Sequence, residues 1–253
     1  MHTICMVGNM TNKELYRDFC HKTKQLPIFM QDWWLDAVCA GKQWDVLLYM
    51  DEEGNIQAVL PYLLRQRAWM KYIIMPQQTQ IGGIWIDDTV SNNEKKVAEI
   101  SLDFANQLNE MGLSYYYQHY PIGSPMVEHM RAMQFSITER ATYRIEDLTD
   151  LDAVINGFSK NKKRQLQKAL SLHVDYNMCV EDFYRFHVKC LQEKGKQITY
   201  TREFLLVLER KTARLQQSQI VSICNADNEV LAAAFLVWDN HSMYYLIPCY
   251  LPS

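Results

Sequence analysis

The sequence predicts an α+β (or α/β) fold, a mixed and mainly antiparallel sheet flanked by helices, laid down twice along the chain. Three observations carry this. Strand-forming runs flank an acidic, Gly-containing turn at 44–64. The same plan recurs near the other end after a shift of 174 residues, which carries Ile56 onto Val230, Ala58 onto Ala232 and the turn 51–55 onto 225–229. Two helical patterns precede each hairpin.

In order along the chain, Thr11 with Glu14 three residues on is a capping box that opens the helix "NKELYRDFCHK". A second helix starts near Gln31 and runs through Trp34, Ala37 and Val38. "WDVLLYMDEEGNIQAVLPYLL" is the first hairpin and "WMKYIIM" from Trp69 its third strand. The next helix carries Val97, Ile100, Phe104, Leu108 and Met111 on one face, with Gly112 as its stop. A strand ("LSYYYQHY"), a short helix from Ser124 and a strand in "SITERATYRIEDL" complete a first domain, residues 1–147. Residues 148–171 form a basic helical connector. In residues 172–253, "EDFYRFHVKCLQEKG" and "REFLLVLERKTARLQ" are helices, "QIVSICNADNEVLAAAFLVW" is the second hairpin, and "MYYLIPC" from Met243 matches the third strand. This half has no counterpart of the elements that the first half builds beyond Thr79. The expectation is an incomplete second unit that is cut short or leans on the first unit or on another chain, with a bare sheet edge that invites a homodimer.

Composition narrows the classes. The chain has 253 residues, 48% of them hydrophobic, enough for a substantial core. No apolar run reaches membrane-spanning length and "MHTICMVGNM" does not read as a signal peptide, so a cytoplasmic protein without integral membrane contact is expected. The seven cysteines, Cys5, Cys20, Cys39, Cys179, Cys190, Cys224 and Cys249, form no C-x-x-C pair and read as buried free thiols. A net charge of -3 and a pI near 6.2 argue against DNA binding across a whole basic face.

Two stretches carry candidate chemistry. "SKNKKRQLQKAL" places Lys160, Lys162, Lys163 and Arg164 in the first turn and a half of a helix capped by Ser159, and adds Lys168. Cations there oppose the helix dipole, and a bound phosphate or pyrophosphate would resolve the conflict. A solvated face on a connector helix, with Leu166, Ala169 and Leu170 docking inward, accounts for the same residues. "MPQQTQIGGIWIDD" offers Gln77, Gln78, Thr79 and Gln80 at a strand end and Gly82-Gly83 where backbone can approach closely or take positive φ. An ordinary polar loop fits equally. Trp34, Tyr244 and Tyr245, like Trp33, Tyr62 and Trp85, are core or cleft-wall aromatics. His119 and His187 lack metal-ligand spacing, no H-E-x-x-H, nucleophile elbow or zinc pattern occurs, and no metal is expected.

The order of these elements, with "PIFMQDWWLDAV", "IQAVLPYLL", "MPQQTQIGGIWIDD", "SKNKKRQLQKA" and "YYLIPCY", resembles the FemAB-like branch of bacterial GNAT-fold acyltransferases, which carry two GNAT units in tandem. The pyrophosphate loop Q/R-x-x-G-x-G/A of most GNAT enzymes is absent, because Gln80-Ile81-Gly82-Gly83-Ile84-Trp85 ends in Trp. The resemblance implies an acyl- or aminoacyl-transferase that uses acyl-CoA or aminoacyl-tRNA as donor, with no tightly bound cofactor, and an amine on a polar or phosphate-bearing acceptor. It implies that the basic segment faces an anionic small-molecule or carrier substrate, tRNA included, with Lys163 and Arg164 foremost. It further implies that the loop Gln77–Trp85 borders the acceptor pocket and that Asp87 or Asp88 holds the attacking amine or takes its proton. The alternative is a truncated, inactive relative that binds an anionic ligand or a protein. Attachment of the basic helix to anionic lipid is a third reading, weakened by the lack of flanking aromatics.

Overall fold

The computed structural model describes residues 10–23, 25–39 and 43–252. Cys5 and the opening segment "MHTICMVGN" lie outside the described residues. In chain order the elements begin with α1 (Asn12–Lys22), a 3-10 turn (Ile28–Met30), α2 (Asp32–Cys39), β1 (Trp44–Met50), β2 (Ile56–Arg67), β3 (Met70–Ile74) and β4 (Trp85–Ile86). Then come α3 (Asp88–Ser91), α4 (Glu94–Glu110), β5 (Tyr115–Tyr116), α5 (Met126–Ala132), α6 (Leu151–Gly157), α7 (Lys160–Ala169) and β6 (His173–Asp175). The series closes with α8 (Val180–Glu193), α9 (Arg202–Arg214), β7 (Ser218–Cys224), β8 (Val230–Trp238) and β9 (Met243–Tyr250). Two compact units result. One gathers Met1–Ser136, Thr199–Ser218 and Leu236–Leu246; the other gathers Ile137–Ile198, Gln219–Phe235 and Ile247–Ser253.

The first unit is organised on the ladder β1-β2-β3-β5, with β4 also on β2. β1, β3 and β4 run antiparallel to β2, and β3 pairs in parallel with β5 through Tyr72↔Tyr115 and Ile73↔Tyr116. The capping box forms as the sequence predicts: the Thr11 N–H donates to Glu14 Oε2 (2.7 Å), and the Glu14 N–H donates to Thr11 Oγ1 (3.3 Å). α4 packs on α5 and β1 and buries Ile100, Phe104 and Leu108 of the face read from the spacing, together with Ser101 and Ala105, while Val97 and Met111 at its ends are half-buried. α2 packs against α9, the helix that contains its counterpart under the 174-residue shift.

An ion-pair cluster pins α1 to α2 and β1. Arg17 grips Asp36 with both terminal nitrogens (2.8 Å each) and reaches Asp32 (3.0 Å), while the Trp44 indole N–H donates to Asp36 Oδ1 (2.9 Å). The Arg17 guanidinium lies 5.2 Å from the Trp44 ring centre. The bidentate fork suits a planar carboxylate.

The order helix-helix-strand-strand-strand occurs twice, as α1-α2-β1-β2-β3 and α8-α9-β7-β8-β9. The two hairpin turns share their backbone bonds. The Asp51 N–H donates to the Asn55 carbonyl and the Gly54 N–H to Asp51; the Asn225 N–H donates to the Glu229 carbonyl and the Asn228 N–H to Asn225. Asp51 Oδ1 accepts from the N–H groups of Glu53 and Asn55, and Asn225 Oδ1 from those of Asp227 and Glu229. Gly54 (φ 85°) and Asn228 (φ 61°) take the left-handed position, which Gly and Asn tolerate best.

In the second unit, α8 turns Val180, Phe183, His187 and Cys190 inward at helical spacing, and Phe183 meets Phe235 edge-on at 6.3 Å. Burial, and secondarily Lys194, lowers the His187 pKa; burial lifts the Cys249 thiol to about 12. Cys20, Cys39, Cys190, Cys224 and Cys249 are buried free thiols, but Cys179 departs from that reading: it is exposed at the start of α8, its sulfur 3.1 Å from Asp182 Oδ2. The strand expected in "SITERATYRIEDL" does not form. These residues have the right side chains but no neighbouring ladder among the described residues, and Tyr143 is fully exposed. A strand exists only as a paired element. No described helix is long and apolar enough to cross a membrane.

The Arg17 cluster makes acid stability testable. Although partial burial works the other way, hydrogen bonds from Arg17 and Trp44 hold Asp36 below the ordinary aspartate value of 3.8. A lowered folded pKa contributes stability above the unfolded value that is lost as pH falls through the folded one. Asp36 is 38% exposed, so screening limits this contribution to about 1 kcal/mol. Urea unfolding of wild type and Asp36→Asn should therefore differ by about that much near neutrality, and the gap should close below pH 3.8. A gap that stays constant into acid would contradict the assignment.

Candidate functional site

The site is built where β2 changes partners. β3 pairs with residues 63–67 of β2, and β4 with Ala58 and Val59 on the same edge. Between them the chain leaves as the loop 75–84. Strand parity identifies what this gap exposes. The Leu64 N–H donates to the Gln43 carbonyl on the β1 side, whereas the Gln57 carbonyl accepts from Asp87 on the β4 side (2.8 Å). Alternate residues face alternate edges, so 57, 59, 61 and 63 point away from β1 and residue 61 alone faces the gap. That residue is proline, which has no N–H to leave unpaired, and its carbonyl accepts from Gln118 Nε2 (2.9 Å).

Gln118 belongs to the extended segment that continues β5, and its two faces carry separate networks. On one face Tyr120 bonds Tyr116 through the hydroxyls, and the Tyr116 O–H donates to Gln118 Oε1 (3.0 Å). With the Tyr116 proton spent on Gln118, Tyr120 is the donor to Tyr116. Burial raises the Tyr116 pKa well above the usual phenol value and lifts Tyr120 to about 12, so both remain donors at neutral pH. On the other face Tyr115 and Tyr117 stack at 6.4 Å, and His119 bridges Tyr117 and the loop. His119 Nδ1 lies 3.1 Å from the Gln80 carbonyl and Nε2 lies 2.8 Å from the Tyr117 hydroxyl. A carbonyl only accepts, so the proton sits on Nδ1 and the Nε2 lone pair accepts from Tyr117.

The loop is fastened along its length. The Trp34 indole N–H, wholly buried, donates to Thr79 Oγ1 (3.1 Å). Gln77 Nε2 donates to the Thr199 carbonyl (2.9 Å), Gln80 Nε2 to the Tyr245 carbonyl (3.1 Å), and the Gly82 N–H to the His119 carbonyl (2.8 Å). Gln78 (φ 55°) and Gly83 (φ 90°) are left-handed. Gly83 has a second constraint: a Cβ there would lie 2.3 Å from the Tyr120 ring. Trp85 pairs with Val59 and meets Phe19 edge-on at 5.5 Å.

The residues singled out in the sequence therefore separate. Gln77, Gln78, Thr79, Gln80, Gly82, Gly83 and Trp85 form one structured loop, joined by Trp34 and the Tyr245 backbone. Trp34 is core, Tyr244 packs on Phe29 at 4.6 Å, and the Tyr245 side chain is 60% exposed. Asp87 Oδ1 caps α3 by accepting from the Thr89 N–H (2.9 Å) and hydroxyl (2.6 Å); Asp88 is exposed in the same turn. Lys160, Lys162, Lys163, Arg164 and Lys168 all lie on α7, in the second unit, capped by Ser159 as expected. Lys163 is committed, its ammonium bonding the Asn156 carbonyl at the end of α6 (2.9 Å). Lys160, Lys162, Arg164 and Lys168 are exposed and make no ion pair or hydrogen bond with their side chains among the described residues. No described cluster of His, Cys, Asp and Glu could hold a metal.

No protein-family model matches the sequence, and no curated protein does. Among solved structures the chain is similar to FemX, with a TM-score of 0.64 at 12% identity over 97% of this chain and 80% of that one. The chain has a GNAT-like fold. Weaker similarities are to L-PGS from Bacillus licheniformis (TM-score 0.39, 13% identity, 87% of this chain and 62% of that one) and to a putative acetyl transferase from Pyrococcus furiosus (0.30, 10%, 53% and 91%).

The site residues that sequence reasoning missed are Tyr116, Tyr117, Gln118, His119 and Tyr120. The available signal was the alternation in "YYYQHY", which puts two sets of polar tips on opposite faces. Gly83 gives the direct test of the loop. Gly83→Ala combines left-handed strain with overpacking against Tyr120 and should cost roughly 2–4 kcal/mol. Thermal unfolding should place it well below Gly54→Ala, which has the same backbone strain but open space around its Cβ. Equal losses would show that Tyr120 does not confine the loop.

Proposed function

We propose that this chain is an acyl- or aminoacyl-transferase that moves a group from an acyl-CoA or aminoacyl-tRNA donor to an amine of a polar or phosphate-bearing acceptor. The observation that carries the reading is the likeness to FemX over 97% of the chain, joined to the FemAB-like motif order in the sequence. The repeated helix-helix-strand-strand-strand order and the matched turns support a tandem of two related units, approximately 1–147 and 172–253 joined by 148–171.

In this reading the loop Gln77–Trp85 borders the acceptor and its exposed amides orient polar groups. No covalent enzyme intermediate is required. The amine attacks the donor carbonyl, the thiol or tRNA hydroxyl leaves, and the ammonium proton must pass to a base. Asp87 Oδ1 is occupied in capping α3, and His119 Nε2 is already met by the Tyr117 hydroxyl, so the candidates are Asp88 and His119 acting through that hydroxyl, which takes the ammonium proton as it passes its own to Nε2. In the connector, the free N–H groups at the start of α7 with Lys160, Lys162 and Arg164 would receive a phosphate, Lys168 lying further along, while Lys163 braces α6.

Two measurements test this. Transfer assayed with acyl-CoA and aminoacyl-tRNA donors and a panel of amines should give turnover with at least one pair, and His119→Gln should lower the rate roughly 10²–10⁴-fold. Calorimetric titration of CoA, a UDP-sugar and tRNA should show binding that Lys160→Ala, Lys162→Ala, Arg164→Ala weakens and Lys163→Ala alone affects least. Absence of turnover with every pair would overturn the transferase reading; equal affinity of the triple variant would leave α7 a solvated face.

A further inference from the structure

The hairpin between β2 and β3 ends in a two-residue turn, Ala68-Trp69, closed by the pair Arg67↔Met70. Its tip is apolar and bare. Trp69 is 84% exposed, Met70 37%, and Ala68 is also exposed. Of the six tryptophans in the chain, all within the described residues, Trp69 alone is exposed. The strands behind the tip carry Arg65, Arg67 and Lys71, and the span 63–74 has no acidic residue. None of these three cations makes an ion pair or side-chain hydrogen bond among the described residues. Cross-strand register puts Arg65, Tyr72 and Tyr115 side by side on one face, with Arg67 and Met70 in the next row toward the tip.

An exposed tryptophan is costly in water and useful at a boundary where its ring leaves water and its N–H keeps a partner. We propose that this hairpin is a docking element for an anionic phospholipid surface. Ala68, Trp69 and Met70 enter the headgroup layer, while Arg65, Arg67 and Lys71 remain at phosphate level with their aliphatic stems toward the tip. Two features favour this occupant over a protein groove or a nucleic acid. The apolar residues are consecutive at a turn that projects beyond its strands, which suits insertion rather than lateral pairing. The charge complementarity is of one sign throughout the hairpin, although the chain as a whole is at -3. α7 has the cations without the aromatic tip; the hairpin has both. This surface is independent of the transferase reading and would recruit the protein to a membrane whatever it catalyses.

The test is flotation of the full chain with phosphatidylcholine vesicles, with and without phosphatidylglycerol. Partition should require the anionic lipid and weaken with salt, each of Arg67→Gln and Lys71→Gln lowering it about fivefold. Trp69→Ser should lower it at least about tenfold with an unchanged melting temperature, since the side chain makes no buried contact. Brominated acyl chains should quench tryptophan fluorescence in wild type and not in Trp69→Ser. The proposal is overturned by absence of partition at low salt, or by partition that survives Trp69→Ser but is lost in the Lys160→Gln, Lys162→Gln, Arg164→Gln variant. Tight binding of a single-stranded RNA that is lost in the hairpin variants, without vesicle binding, would also overturn it.

Discussion

The first unit depends on how one edge of β2 is shared by two strands that cannot both run its full length. Wherever a ladder changes partner, a backbone group is left facing nothing, and burying it unpaired costs about 1–3 kcal/mol. Here the residue at the gap is Pro61. It has no N–H to lose, and Gln118 supplies the single bond its carbonyl needs. The side chain that closes the gap arrives from the segment after β5, so the same bond ties the parallel β3-β5 pair to the antiparallel ladder. The loop between β3 and β4 can then leave the sheet without leaving it frayed.

That departure sets the site geometry. The loop returns to β2 after crossing the 115–120 segment, and each contact on the way is local chemistry. Gly83 lets the backbone approach Tyr120, the Gly82 N–H reaches the His119 carbonyl, Thr79 satisfies the buried indole of Trp34, and the Gln80 carbonyl selects the His119 tautomer. An imidazole held by a loop carbonyl at Nδ1 and by a phenol at Nε2, beside a rigid loop of amides, is an arrangement that can handle a proton. It is also one that structural packing alone would not demand, because His119 is only half-buried.

Much of the fold was legible because it is written in short-range rules. The Thr11-Glu14 box, the α4 stripe and the two five-residue turns each depend on side chains within one turn of one another, and the 174-residue shift falls on the same hydrogen bonds in both turns. What was illegible depends on partners far along the chain. Nothing in "YYYQHY" says that Gln118 will meet Pro61, 57 residues earlier. Nothing in "SITERATYRIEDL" says that no strand will lie beside it. Lys163 reads as one of the two foremost phosphate-binding cations until α6 ends beside it and takes its ammonium, and Asp87 reads as a free carboxylate until α3 begins there. Propensity located the elements; pairing decided which residues remained available for chemistry.

The most direct measurement of the central claim is the stability of Gln118→Leu, which keeps the volume near the gap but strips it of both amide groups. The Pro61 carbonyl would lose its donor and the Tyr116 hydroxyl its acceptor, so equilibrium unfolding should show a loss of about 2–4 kcal/mol. Gln118→Glu should recover little, since a carboxylate offers the carbonyl no proton at neutral pH. A loss below about 0.5 kcal/mol for Gln118→Leu, within the range of ordinary surface changes, would mean that the shared edge of β2 is held by something other than this bond.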